Sequence, residues 1–150
     1  MKEDDLLPHA VRVYEQELKR FENVDSKANQ QIGFVGVIIA IFGFVAGDNF
    51  QTLEYLVLVI FGLGFLLLSI IISVAKILFP TKKIPVFNVQ LYCEDLKKGK
   101  TEETVLEVYL THIGELSQVV TNKARWLARS YLFMLIGLAT SFIGILLSVI

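Results

Sequence analysis

Residues that commonly carry catalysis or bind metals are scarce in this chain of 150 residues. The single cysteine, Cys93, excludes an internal disulfide and a cysteine-rich zinc site. The two histidines, His9 and His112, are accompanied by no nucleophile motif and no phosphate-binding glycine loop. A net charge of -1 offers no electrostatic basis for binding nucleic acid. We therefore expect no enzyme, no metal site and no cofactor.

Charged residues are also missing from three windows, at 28–47, 55–75 and 130–150. A helix of about 20 apolar residues spans the roughly 30 Å hydrocarbon core of a bilayer, and each window has that length. The hydrophobic fraction is 54%, and so many apolar residues in three windows leave too little polar chain to enclose them in a soluble fold. We predict an all-α integral membrane protein with three transmembrane helices.

The basic residues predict how the chain is oriented. All 14 Lys and Arg residues lie either before the first window or in the stretch from Lys76 to Arg129, and none lies in the turn GDNFQTLE. Short loops rich in Lys and Arg stay on the cytoplasmic side of a membrane. We expect a multi-pass protein of the cell (inner) membrane, with its N-terminus in the cytoplasm and its C-terminus outside.

Two seams of residues at alternating spacings of four and three continue the first and third spans beyond the membrane. The first seam comprises Leu7, Val11, Tyr14, Leu18, Phe21, Asp25, Ala28 and Ile32, and the second comprises Val105, Tyr109, His112, Leu116, Val119, Lys123, Trp126 and Ser130. They predict long helices at 6–47 and 101–150 that form a cytoplasmic bundle and then enter lipid. The second span is predicted at 53–79 and a connector at 80–100, all within one membrane domain, 1–150.

Asp25 and Lys123 occupy matching places on the two seams, each seven residues before a residue within the span. The first and third helices enter the membrane in the same direction, so these opposite charges would lie at the same level. We predict that Asp25 pairs with Lys123 or Arg125 in a polar layer at the membrane surface that gates the protein's activity. The layer is completed by Lys27, Asn29 and Asn122. The alternative is that Lys27, Lys123, Arg125 and Arg129 only contact lipid headgroups.

Rows of small residues follow inside two of the spans. The first row is Gly36, Ala40, Gly43 and Gly47, and the second is Gly137, Ser141, Gly144 and Ser148. Small side chains let a second helix approach closely in lipid, although glycine is also simply common in membrane helices. Two rows and two seams offer more contact surface than one protomer covers, so we expect a homo-oligomer.

The order of these features resembles a known family. The segments concerned are DSKA before the first span, a tight outside turn, a second span ending at Pro80, then NVQLYCEDL, and NKARWLARS before the last span. They are similar to the transmembrane effector domain of Pycsar antiphage systems (PycTM) and, more loosely, to the SLATT group of prokaryotic membrane effectors. The most specific pieces are Asp25, Lys27, Ala28, Asn122 and Lys123. Where such proteins often carry an aromatic residue and a glycine in the middle segment, this chain has Tyr92, Cys93 and Glu94.

The resemblance implies an effector that a cyclic nucleotide activates during infection and that then perturbs the host membrane. Basic or amide donors would hold the anionic phosphate, and the candidates are Lys82, Lys83, Asn88, Tyr92, Lys123 and Arg125. A solvated positive-inside face explains the lysines equally well. No ionisable residue lies within a span, so a preformed hydrophilic pore is not expected. The competing interpretation is a membrane scaffold or channel-like subunit whose cytoplasmic helices bind a protein partner.

Overall fold

The structure, a computed structural model, describes residues 6–49, 53–79 and 102–149, with side chains at 8–45, 55–79 and 105–147. The described ranges are helical: α1 is Leu6–Asn49, α2 is Leu53–Ile72 and α3 is Glu102–Val149. A π-helical segment, Ser73–Leu78, directly follows α2. Three helices are long and apolar enough to cross a membrane, at Pro8–Val45, Tyr55–Leu78 and Val105–Leu147. The predicted all-α fold with three membrane-spanning helices is confirmed.

The chain forms two compact units. We call Met1–Asn23 with Thr81–Asn122 the extramembrane unit, and Val24–Pro80 with Lys123–Ile150 the membrane unit. The helices α1 and α3 contribute residues to both units. The predicted connector at 80–100 lies outside the described residues, and the single domain over 1–150 stays a prediction.

The extramembrane unit contains an apolar cluster built from both predicted seams. Ala10 of α1 is buried with Val105 and Tyr109 of α3. The ring of Tyr14 meets that of Tyr109 edge to face, with the ring centroids 6.0 Å apart and the planes at 84°. Edge-to-face packing places the positive edge of one ring on the negative face of the other, which stabilises the pair beyond its buried area.

Apolar contacts in the membrane unit form two clusters, each with residues from three helical segments. One consists of Ala28, Ile77 and Leu127. The other consists of Val35, Ile38, Leu66 and Met134. Large apolar side chains on the outer faces, such as Phe44, Phe61 and Phe142, are exposed. This is the arrangement expected where lipid, not water, surrounds the helices.

The helices α2 and α3 touch through their backbones. A Cβ built on Gly62 would lie 2.7 Å from the Ser141 nitrogen, and one built on Gly137 would lie 2.8 Å from the Gly62 carbonyl oxygen. A Cβ on Gly144 would meet Val59 Cγ2 at 2.9 Å. The third-span row therefore packs against α2, and its counterpart is Gly62, which is not among the predicted packing residues. The side chain of Ser148, the last residue of that row, lies outside the described residues.

The first-span row contacts no other helix in the described part of the chain. Gly36, Ala40 and Gly43 are exposed, and no atom lies within 4 Å of a Cβ built on Gly36 or Gly43. The buried face of α1 differs from this predicted row. It passes from Ala28 through Gln31, Val35 and Ile38. The predicted face runs from Ala28 to Ala40 in three steps of four residues. Each step turns about 400° around the helix axis, about 40° more than a full turn. The row thus drifts about a third of the way around α1. The surroundings of Gly47 are outside what the structure describes.

The end of α2 has a local explanation. The Phe79 amide donates to the Val74 carbonyl at 3.0 Å, a bond over five residues that widens the last turn into a π-helix. Pro80 follows, and proline lacks the amide hydrogen that a further turn would need. The chain therefore leaves the helix close to the predicted end of the second span.

Candidate functional site

An ion pair links α1 to α3 within the membrane unit. Lys123 Nζ donates to Asp25 Oδ1 at 2.7 Å, the pairing that the matched spacing predicts. The Lys123 side chain is only 3% exposed, whereas that of Asp25 is 28% exposed. An ammonium group removed from water costs several kcal/mol without a counter-charge, so the carboxylate makes this position tolerable for lysine. Whether the pair has a gating role stays a prediction.

The other predicted members of the polar layer lie on the surface. Lys27, Asn29 and Arg125 of the membrane unit are exposed, and so is Asn122 of the extramembrane unit. From the predicted layer the structure thus brings together Asp25 and Lys123. The exposed cations are free to meet lipid headgroups, which is the alternative that the sequence left open.

A buried cluster of polar side chains lies further along the spans. Gln31 of α1, which is 3% exposed, meets Ser69 of α2, Ser73 of the π-helical segment and Ser130 of α3. Gln31 Nε2 donates to Ser69 Oγ at 2.8 Å and to Ser130 Oγ at 2.9 Å. Ser130 Oγ donates to the Ser69 carbonyl at 2.8 Å and lies 2.8 Å from Ser73 Oγ. We call these four residues the glutamine–serine cluster.

The cluster is closed, because each of its side-chain hydrogens has an acceptor. The amide hydrogens of Gln31 go to the Ser69 and Ser130 hydroxyls, with the orientation of the amide assigned from this network. The Ser130 hydrogen goes to a carbonyl, and Ser69 donates to Ser130 at 3.0 Å. Ser73 then donates to Gln31 Oε1 at 3.4 Å. Polar groups inside a membrane protein must satisfy one another in this way, since lipid offers no partner.

The glutamine–serine cluster was not predicted from the sequence, although a signal for it exists. Gln31 is a strongly polar residue within a charge-free window, and exposing its amide to lipid would be costly. Ser69 and Ser73 are one turn apart in an otherwise apolar helix, so they share a face. These facts favour an inward orientation for each residue. They do not say which residues meet.

A tryptophan with two neighbouring cations lies elsewhere in the membrane unit. Trp126 packs against the buried cluster of Ala28, Ile77 and Leu127. Lys76 Nζ lies over its ring at 5.7 Å from the centroid, and Arg129 Cζ lies over it at 4.6 Å. Both distances suit a cation–π interaction, which contributes about 0.5–1 kcal/mol at an exposed site.

The predicted nucleotide ligands are mostly beyond what the structure describes. Lys82, Lys83, Asn88 and Tyr92 lie outside the described residues. Of the remaining two, Arg125 is exposed and Lys123 is held by Asp25. A cavity of about 240 Å³ in the extramembrane unit is lined by His9 and apolar side chains from α1 and α3. Its lining contains neither lysine nor arginine to receive a phosphate.

Comparison with known families gives one finding. A family model described as the Pycsar effector protein domain, PycTM, matches residues 9–150. Comparison with curated proteins and with solved structures gives no match. The matched family is one of membrane effectors and is not a known enzyme family. Since the match covers nearly the whole of a chain with three membrane-spanning helices, the chain belongs to the Pycsar effector domain family and is a membrane effector of antiphage defence.

Proposed function

We propose that a cyclic nucleotide activates this effector and that the activated protein perturbs the membrane in which it lies. The observation that carries the proposal is the glutamine–serine cluster, a closed set of polar groups among apolar helices. Polar residues inside a membrane bundle are expensive and commonly serve the function.

The described arrangement is then the resting state. Its polar groups bond to one another, and the apolar cluster around Val35 and Leu66 excludes water. If α2 moves relative to α1 and α3, the cluster residues lose their partners, and water becomes the best replacement. The bundle then has two arrangements, one with α2 in the described position and one with α2 displaced. They differ in the area of polar surface that is exposed to water. A ligand shifts the balance only if it binds one arrangement better than the other.

The Asp25–Lys123 pair is placed to respond to such a movement. Lys123 is nearly inaccessible, so a phosphate could reach its ammonium only after α1 and α3 separate locally. Arg125 is exposed and is open to first contact with an anion. We propose that Lys82, Lys83, Asn88 and Tyr92 contribute to the same capture, since basic and amide donors suit an anionic phosphate.

The test measures nucleotide binding and membrane leakage on the same protein. Detergent-purified protein is titrated with cyclic mononucleotides and cyclic oligonucleotides by calorimetry, and dye-loaded vesicles containing the protein receive the same panel. We expect one nucleotide to bind saturably and to start dye release. The variant Arg125→Ala should weaken both effects. Its matched control, Lys19→Ala, removes one exposed charge from the extramembrane unit and should change neither.

Two outcomes contradict the proposal. In the first, no nucleotide binds at about 1 mM, which corresponds to binding weaker than about -4 kcal/mol. In the second, a nucleotide binds but vesicles remain tight in its presence. The first outcome would favour the scaffold interpretation, and a protein partner would then be sought on the extramembrane helices.

We further propose that the effector is a homo-oligomer with its N-terminus in the cytoplasm and its C-terminus outside. Gly36, Ala40 and Gly43 form an exposed strip of small residues on α1, with open space beside both glycines. Small residues permit close approach of helices in lipid, where packing has to replace the hydrophobic effect. The strip is therefore a suitable contact for α1 of a second copy.

A further inference from the structure

Two basic side chains in the membrane unit lie over the same aromatic ring, that of Trp126. Lys76 lies in the π-helical segment, and Arg129 lies one turn after Trp126 on α3. Their distances to the ring centroid limit the separation of the two charges to about 10 Å, which is close to the Debye length at 0.1 M salt. Like charges at this range repel each other. Neither cation is paired with a carboxylate among the residues that the structure describes.

The Trp126 ring is fixed by its packing contacts. Trp126 is partly buried and packs against Ala28, Ile77 and Leu127, which come from three different helical segments. Its position is therefore set by the fold of the membrane unit. Lys76 and Arg129 are themselves exposed, so an anion that is not part of the protein can reach them.

The sequence places this group at the boundary between hydrocarbon and headgroups. Lys76 is the first charged residue after the second window, and Arg129 is the last one before the third. Trp is enriched at this boundary, where its ring is half in lipid and half in water. Basic residues between transmembrane helices at this level commonly meet phospholipid headgroups.

We propose that Lys76, Trp126 and Arg129 form a site for the phosphodiester headgroup of an anionic phospholipid. The phosphate would lie between the ammonium and guanidinium groups and relieve their repulsion, with Arg129 able to donate two parallel hydrogen bonds. The upper part of the lipid chains would pack on the exposed edge of Trp126. Such a lipid bridges the π-helical end of α2 to α3. This inference does not depend on the nucleotide proposal.

Trp126 itself reports on the site, because it is the only tryptophan in the chain. Full-length protein is reconstituted in phosphatidylcholine bilayers that contain a brominated lipid, which quenches tryptophan fluorescence on contact. The brominated lipid is either phosphatidylglycerol or phosphatidylcholine at the same mole fraction. We expect association of the brominated phosphatidylglycerol to be tighter by about thirtyfold, the scale that two basic side chains supply at an anionic surface.

The variants separate this site from general charge attraction. Lys76→Gln with Arg129→Gln should abolish the preference for phosphatidylglycerol. Lys76→Arg with Arg129→Lys should retain it, which also shows that the substituted positions still fold. The control is Arg12→Gln with Lys19→Gln, which removes the same charge from exposed positions of the extramembrane unit and should leave the preference unchanged.

Three results would overturn the proposal. One is equal quenching of the original protein by both brominated lipids, and another is a preference that survives the double glutamine change at Lys76 and Arg129. The third concerns soluble sources of the same phosphodiester or phosphate chemistry. If millimolar inorganic phosphate or cyclic AMP abolishes the lipid preference at constant ionic strength, the site takes a soluble anion and not a lipid headgroup.

Discussion

Replacing Ser130 with alanine is the most direct test of the glutamine–serine cluster. Ser130 is fully buried, and its Oγ lies within hydrogen-bond distance of Gln31, Ser69 and Ser73. It also donates to the Ser69 carbonyl. The change removes one oxygen and almost no volume, so the loss of hydrogen bonds dominates its effect.

The expected cost follows from the groups that remain. Without the Ser130 hydroxyl, three groups lose their partner in the cluster: one amide hydrogen of Gln31, the hydroxyl hydrogen of Ser69 and one lone pair of the Ser69 carbonyl. A buried unsatisfied group costs about 1–3 kcal/mol in soluble proteins. Hydrogen bonds between membrane helices average about 0.6 kcal/mol and reach about 1.7 kcal/mol. We expect Ser130→Ala to lower the free energy of unfolding by about 1.5 kcal/mol, the upper part of the membrane range, since Ser130 bonds to three helical segments.

Ser141 provides a matched control on the same helix. It is also fully buried, but its hydroxyl has no hydrogen-bond partner among the described residues. Ser141→Ala therefore removes an unsatisfied polar group, and we expect a neutral or slightly stabilising effect. The two variants make the same chemical change at the same burial. Only the hydrogen bonding differs.

The measurement is the equilibrium free energy of unfolding in bicelles by steric trapping. The set also includes Gln31→Leu and the double variant of Gln31→Leu with Ser130→Ala. The double variant leaves no orphaned amide, so its cost should be smaller than the sum of the two single costs by at least about 0.5 kcal/mol. Equal effects of Ser130→Ala and Ser141→Ala, or strict additivity of the double variant, would refute the reasoning.

Three further predictions concern helix contacts. Gly62→Ala places a Cβ 2.7 Å from the α3 backbone, and the overpacking should lower the free energy of unfolding by about 2–3 kcal/mol, measured as a lower thermal midpoint; Gly64→Ala enters open space and should leave the midpoint unchanged. Asp25→Lys and Lys123→Asp should each destabilise by about 3 kcal/mol, and combining them should restore most of the stability; a double variant as unstable as the singles would contradict the pair. Gly36→Leu should lower the oligomer mass in native mass spectrometry while the exposed control Gly64→Leu does not, and an unchanged mass would rule out the α1 contact.

Part of the candidate site was predictable from spacing alone. Asp25 and Lys123 lie on seams that run in the same direction, and each stands at the same distance before a span. A charge on a buried seam needs a partner of opposite sign. The pairing could therefore be predicted from two facts: the charges are opposite, and both lie at the same distance from the membrane. The observed distance between Nζ and Oδ1 is 2.7 Å.

The glutamine–serine cluster was not predictable in the same way. Its members come from four helical segments, and a change in the rotation of any helix about its axis would replace one of them. Following α1 in steps of four residues led to Gly36, whereas the buried face runs through Gln31 and Val35. A small error in helical phase accumulates over several turns, and only contact with the other helices corrects it.

The sequence by itself determined the three spans, the all-α class and the family. The spans follow from the length of charge-free chain compared with the thickness of a bilayer, a local property that needs no partner. Only the tertiary structure decided which faces meet: Gly62 against Gly137, Gln31 against the three serines, and two cations on Trp126. In lipid every helix is apolar on most sides, so the hydrophobic pattern marks no inner face. The inner face is set by the fit of small residues and by the need of each buried polar group for a partner.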